Sequence, residues 1–432
     1  MMMDANESVR LGTTPSRNLL LLLAVALGLM GTQLVLPLGG VPAADAVAGL
    51  AFLAVLYHLW RGVGEVAVPA PLPAVLIVYA LANLAARSHL PGAVEVVQRV
   101  VYLFCGAAML GLLLKHRPHW VLWAVGTALA ASLAMALVQG FRFGFGSTLP
   151  PKDVAELPVG FGGAFTGLFR SRLALGLFVG MALVWLQPFA YQLAKGWKSW
   201  CAILLGTAVV LGFVAHGQLL LVIAAAAVFF GFIHSRKAGL ANLGALILLA
   251  LSLLVGGRGT VLADSLSPLA DRYGALKPGH LELVPAFRLA NEHPLCGVGA
   301  GKAYQRRIGA AYRLLPRENV NDMEADSQSG YGILFATVGY PAGFLMLALL
   351  LWGVGLGIRG FLTGVGDPRQ LGGGALLAVV LGAMWITDPF TKGNAWFVAL
   401  GLASAWSAGA LLVLNLKRLL AWGVAFALLA GL

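Results

Sequence analysis

Apolar runs close to membrane-crossing length recur along almost the whole of this chain. A helix that crosses a bilayer needs about 20 mainly apolar residues. The runs at 18–38, 43–60, 70–86, 97–114, 120–139, 173–192, 199–215, 217–233, 239–256, 330–353, 372–390 and 395–414 all approach that length. The pattern predicts an all-α polytopic membrane protein with about 12 transmembrane helices. A shorter apolar tail from 419 is expected to lie in the interface. Composition agrees: 59% of the 432 residues are hydrophobic and 11% are charged, against about 25% charged in soluble domains. A soluble enzyme on a single anchor is therefore excluded. "VPAADA" faintly resembles a signal-peptidase site, but with so many later spans the first run reads as a retained helix.

The net charge of +12 does not point to nucleic acid, because the basic residues are scattered through short loops. With the N-terminus in the cytoplasm, alternate connections carry Arg61; Lys115 and Arg117; Lys195 and Lys198; Arg236 and Lys237; Arg359 and Arg369; and Lys417 and Arg418. The opposite short loops around Asp45 and at 215–218 have no Lys or Arg. Short basic loops mark the cytoplasmic side, so both termini are expected there. Cys105, Cys201 and Cys296 form no motif, and neither a disulfide nor a metal site is expected.

Two long connections fall on the outer side, 140–172 and 257–329. They divide the chain into a helical part at 1–256, a large outer loop at 257–329 and a second helical part at 330–432. The large loop holds nine of the 29 Lys and Arg and eight of the 17 Asp and Glu. Long loops without a spanning run are usually functional.

The first outer loop ends in "GLFRSR", which sets Arg170 and Arg172 at the mouth of the sixth span. Arginine presents a planar fork suited to phosphate oxygens; either residue alone equally suits an interfacial anchor. In the second loop, residues 301–315 read as an amphipathic helix. Lys302, Arg306 and Arg313 share one face, with Tyr304, Ile308, Ala311 and Leu315 roughly opposite. That stripe suits anionic lipids or a diphosphate at the bilayer surface. Upstream, Gly297, Gly299 and Gly301 do not form a dinucleotide fingerprint, because no strand precedes them. They predict a tight turn leading into the amphipathic helix, at whose start exposed backbone N–H groups could hold an anion.

Histidines are weaker candidates. His293 precedes a proline, and His216 sits in a short outer turn. Asp388 and Lys392, near the last outer turn, are expected to neutralise each other. Arg99 lies close to a span end, and no charge is clearly mid-membrane. That, with the lack of an internal repeat, argues against a transporter. Scarce acids gather just before the tenth span: Glu318, Asp322, Glu324 and Asp326. A carboxylate there could accept a proton or serve a helix start.

The order of features resembles the superfamily of O-antigen ligases and O-antigen polymerases. "HPLCGVGAG" at 293–301, "TVGYPAGFL" at 337–345 and "GLFRSRLALGLF" at 167–178 resemble its short motifs. The resemblance implies a C-type glycosyltransferase fold in a bacterial inner membrane, with the site facing the periplasm. It implies a glycan donor on undecaprenyl diphosphate and an acceptor hydroxyl on lipid A–core, on a second lipid-linked glycan or on a protein. No cofactor or metal is implied, and membrane lipids are the remaining partners. In that family arginines are thought to bind the diphosphate, which suggests Arg170, Arg172, Arg288, Lys302, Arg306 and Arg313 here. Where the family carries His-Asn, this chain reads Asp326-Ser327. Asp326, with Glu324, is thus the expected base, and Asp322, His216 and His293 are expected to help bind the acceptor.

Overall fold

The computed structural model describes residues 15–30, 43–61, 65–86, 90–143, 167–169, 172–193, 217–255, 283–300, 329–363, 367–390, 392–407 and 409–431. Among them are thirteen helices and one two-stranded sheet. The helices are α1 (Arg17–Met30), α2 (Ala43–Trp60), α3 (Leu72–Ala85), α4 (Leu90–His116), α5 (Pro118–Phe143), α6 (Arg172–Leu193) and α7 (Gly217–His234). They continue with α8 (Arg236–Val255), α9 (Leu283–Glu292), α10 (Gly330–Leu362), α11 (Pro368–Ala383), α12 (Lys392–Ala405) and α13 (Leu416–Gly431). The expected span at 199–215 and the expected amphipathic helix at 301–315 lie outside the described residues.

Among the described residues, three helical stretches are long and apolar enough to cross a membrane: Arg99–His116, Pro118–Phe141 and Gly330–Leu362. Others, such as Leu72–Ala85 and Leu219–His234, are apolar but shorter. Large apolar side chains stand exposed on the outer helices, including Leu53, Trp123, Val138, Ile247 and Leu251. In water that much exposed apolar surface would drive association; beside lipid tails it is at rest.

Helices α11 and α12 form the centre, and small residues explain how. Successive residues of a helix point about 100° apart, so Gly372, Gly373 and Gly374 of α11 face three different neighbours. A Cβ on Gly372 would stand 2.6 Å from the Trp185 carbonyl of α6, and one on Gly373 would stand 2.5 Å from the Ala405 N of α12. One on Gly374 would stand 3.0 Å from the Gly357 Cα of α10. Missing side chains let three backbones close on one helix. Trp185 and Trp406 fill the adjacent space, and the Trp185 indole N–H donates to Ser404 Oγ at 3.0 Å.

The described residues are mostly helical, in keeping with the expected all-α fold, and one small sheet joins the helices. Strand β1 (Val66–Pro69) pairs antiparallel with β2 (Leu411–Leu414), with Val66 opposite Leu414 and Pro69 opposite Leu411. The span expected at 395–414 therefore ends as helix at Ala405 and continues as strand. A short apolar run such as "LLVL" does not distinguish strand from helix by hydropathy; its partner decides. The apolar tail forms helix α13.

Contacts sort cleanly to the two ends of the bundle. Ala70 N–H donates to Ala410 O at 3.0 Å, and Arg369 Nη1 donates to Leu114 O at 2.9 Å. Those segments all belong to the side with the basic loops. Gln139 with Gly167, Asn83 with Ala300 and Ser329 with Met384 belong to the opposite side. Each pairing joins segments that the charge pattern puts on one side.

Candidate functional site

The turn after α9 and a break in α10 are built for each other. Leu283, Ala286, Leu289 and Ala290 are buried on α9, and Ala286 and Leu289 cluster with Val298, Ile333 and Ala336. A Cβ on Gly332 would meet Ala286 Cβ at 2.9 Å, so the helices touch closely there. Helix α10 loses helical geometry at Gly339, with φ 75° and ψ 178°. Tyr340 N–H, the natural donor to the Ala336 carbonyl, turns instead to Pro294 O at 2.8 Å. Pro341 has no N–H to offer the Thr337 carbonyl. Both carbonyls are thus free, and "CGVGA" fills the vacancies: Val298 N–H donates to Ala336 O at 2.7 Å and Gly299 N–H to Thr337 O at 3.0 Å. Irregular backbone inside a membrane protein persists only where its polar groups find such partners.

Glycine is required on both sides of this joint. Gly297 has φ 68° and Gly299 φ 84°, values that a side chain strains. A Cβ on Gly297 would stand 2.6 Å from Ala336 O, and one on Gly339 would stand 2.6 Å from Leu295 C. Two side chains complete the joint. The Tyr340 hydroxyl donates to Asn291 Oδ1 at 2.6 Å, and the buried Asn83 of α3 accepts from Ala300 N–H at 2.8 Å. The two motif segments "HPLCGVGAG" and "TVGYPAGFL", far apart in the chain, meet here as one unit.

The backbone N–H groups of 297–300 are all engaged: Gly297 donates to His293 O at 2.9 Å, and the next three are engaged as described. The helix start after them, where an anion was expected, lies outside the described residues.

The arginine segment is held separately. Gly167, at φ 59°, is bound by Gln139 of α5: its N–H donates to Oε1 at 2.8 Å, and its carbonyl accepts from Nε2 at 3.2 Å. Phe169 is buried against Phe178 at 5.1 Å between ring centroids, and Phe178 against Phe397 of α12 at 4.9 Å. Arg172 then opens α6.

A buried ion pair lies under the outer turn. Arg99 of α4 contacts Asp388, after α11, at 2.7 Å, with both side chains at least nine-tenths buried. The Lys392 side chain, the expected partner of Asp388, lies outside the described residues. Asp388 also accepts from Phe390 N–H at 3.0 Å. A cavity of about 10 Å³, room for one water, lies beside Arg99 between Leu76, Tyr79, Leu103, Leu334 and Met346. Nearby, Tyr102 packs on Trp396 at 5.7 Å and hydrogen-bonds Asp45.

Of the expected site residues, Arg288 and His293 are exposed. Arg288 pairs with Glu292 one turn on, at 3.2 Å, with side chains 59% and 52% exposed. Such a pair is worth less than about 1 kcal/mol, so Arg288 is free to exchange it for a stronger anion. Arg170, His216, Lys302, Arg306, Arg313, Asp322, Glu324 and Asp326 lie outside the described residues. Glu324 and Asp326 stand a few positions before Ser329, which is buried and donates from Oγ to Met384 O at 3.1 Å. Among the described residues no group of three or more His, Cys, Asp or Glu is placed to hold a metal ion.

Sequence reasoning missed Asn83, Gln139 and the Arg99–Asp388 pair. The available signal was a polar residue within or at the end of an apolar run, where burial is tolerated only with partners. Compared with known proteins, the chain matches no protein-family model and no curated protein.

Proposed function

We propose that this protein is a membrane glycosyltransferase of the O-antigen ligase type, with about 12 transmembrane helices. It moves a glycan from undecaprenyl diphosphate to a hydroxyl of lipid A–core on the periplasmic face of a bacterial inner membrane. The observation that carries this reading is the joint between 294–300 and 336–340. Two of the segments that resemble the family's motifs are mutually dependent there, as parts of one functional unit would be. The third, at 167–178, has a dedicated anchor of its own.

In the proposed reaction the acceptor oxygen attacks C1 of the donor sugar as the bond from C1 to the diphosphate oxygen breaks. Arg170, Arg172, Arg288 and the basic stripe of Lys302, Arg306 and Arg313 stabilise the charge growing on the leaving diphosphate. Asp326 or Glu324 takes the hydroxyl proton, and Asp322, His216 and His293 help orient the acceptor. One displacement inverts C1. No metal or cofactor takes part in this scheme. A polymerase of the same superfamily would use the same chemistry with a second lipid-linked glycan as acceptor.

A second reading, a transporter of lipid-linked oligosaccharides, is favoured by two observations: the break at Gly339 and the buried Arg99–Asp388 pair. Broken helices and buried charge are features of carriers. The deciding experiment offers purified protein undecaprenyl-diphosphate glycan with lipid A–core and a second lipid-linked unit in parallel. Product size separates ligase from polymerase. Absence of product with both acceptors, together with lipid flipping in vesicles, sinks the transferase reading.

A further inference from the structure

We infer that the exposed ledge between α9 and the break in α10 is a saccharide subsite that holds the sugars of the donor. The inference rests on the reading above and names the part of the donor that this surface takes. Arg288, Asn291 and Glu292 stand exposed on one face of α9. Tyr340 and Phe344 follow one turn apart on α10. The Tyr340 hydroxyl donates to Asn291 Oδ1 at 2.6 Å, which joins the two segments. The Tyr340 and Phe344 rings lie nearly parallel, at 23° with centroids 5.9 Å apart. Both pack on the buried Phe335, at 5.4 and 5.1 Å. Gly343 makes the room, because a Cβ there would stand 2.6 Å from the Phe335 ring. Phe344 is nevertheless 58% exposed. Rings held in place from beneath lose little freedom when a ligand settles on them.

A sugar ring offers an apolar C–H face and a rim of hydroxyls. An aromatic plane suits the first. Planar amide, carboxylate and guanidinium groups suit adjacent hydroxyls, and all three types stand beside these rings. Lipid tails fit this level less well. They require no fixed ring plane, and an exposed Arg288–Glu292 pair belongs in water, not in hydrocarbon. Leu345 and Leu351, further along α10, give the aliphatic exposure that suits tails. Arg288 is also the described residue expected at the donor's diphosphate. C1 of the donor's first sugar is bonded to that diphosphate, so the sugars beside Arg288 are the donor's.

The test uses the full-length protein in detergent and saturation-transfer NMR. The probes are O-polysaccharide released from the host's lipopolysaccharide by mild acid, and core oligosaccharide from a strain without O-antigen. Phe344→Leu keeps the apolar area but removes the flat face, and Tyr340→Phe keeps the ring but removes its bond to Asn291. O-polysaccharide binding should fall roughly tenfold in Phe344→Leu and roughly fivefold in Tyr340→Phe. Binding of the core oligosaccharide and the melting temperature should stay as in wild type. Equal O-polysaccharide binding by wild type and both variants overturns the inference, as does its absence in wild type. A loss confined to the core oligosaccharide, or one that tracks the melting temperature, overturns it too. Altered phospholipid retention with unchanged glycan binding would make the ledge a lipid face and also sink the inference. Glycan binding that responds to both variants in a protein without transferase activity keeps the subsite and removes the transferase reading. Normal transfer with an unchanged donor KM in both variants removes the subsite and keeps that reading.

Discussion

The two ends of the bundle satisfy their backbone polar groups by different means. At the end with the basic loops, β1 and β2 pair in a regular ladder, and α11 starts with an ordinary cap. Asp367 accepts from Arg369 N–H at 2.9 Å and pairs with the Arg369 guanidinium at 2.5 Å. At the other end, helix α10 is broken, and its freed carbonyls depend on backbone from another segment. A left-handed glycine is held by a glutamine, and a buried cation is paired with a carboxylate. Strain and buried charge persist only where surroundings over-determine them, and they gather at functional sites. The contrast supports the proposal that the irregular end is the functional one.

Substitutions should expose that asymmetry. The largest effect is expected for Gly297→Val, which adds left-handed strain and drives a side chain into the Ala336 carbonyl. A loss of about 4 kcal/mol or more in detergent unfolding is expected; a loss under about 1 kcal/mol would mean the joint is not tightly packed. Asp388→Ala should cost about 3 kcal/mol because it takes a buried carboxylate from the Arg99 charge. The double change Arg99→Met with Asp388→Leu should recover much of that loss, and failure to recover would show that the pair does more than neutralise itself. Asn83→Leu leaves the Ala300 N–H without its acceptor and should cost roughly 1–3 kcal/mol. At the regular end, Asp367→Ala removes a helix cap and should cost about 1 kcal/mol. If Asp367→Ala proves as damaging as Gly297→Val, the contrast between the ends collapses. Arg288→Ala, which breaks only an exposed pair, should change stability by less than about 1 kcal/mol yet raise the donor KM if Arg288 meets the diphosphate.

Much of the frame was legible in the chain. Spans at 120–139, 173–192 and 217–233 correspond to α5, α6 and α7, and the glycine turn at 297–299 is present with two left-handed residues. These features depend on local properties: hydropathy over a window, or the freedom of a residue without Cβ. The strand at 411–414 was read as helix because four apolar residues carry no period of their own. Arg99 was read as lying near a span end, and Asp388 was paired with its neighbour in sequence. Proximity along the chain was the only guide, and the Arg99 partner on another helix could not be found that way. Gly339-Tyr340-Pro341 resembled a family motif, yet its role as a break became visible only with its docking segment in place.

From the sequence alone came a helical, lipid-compatible chain, two distinguishable faces and polar residues concentrated on one of them. Each of these follows from sums over neighbouring residues. Tertiary structure decided the partners: Asn83 reaches Ala300 across 217 positions, and Gln139 reaches Gly167 across 28. A hydrogen bond needs its two atoms within about 3 Å, and which distant atoms come that close depends on the path of the whole chain.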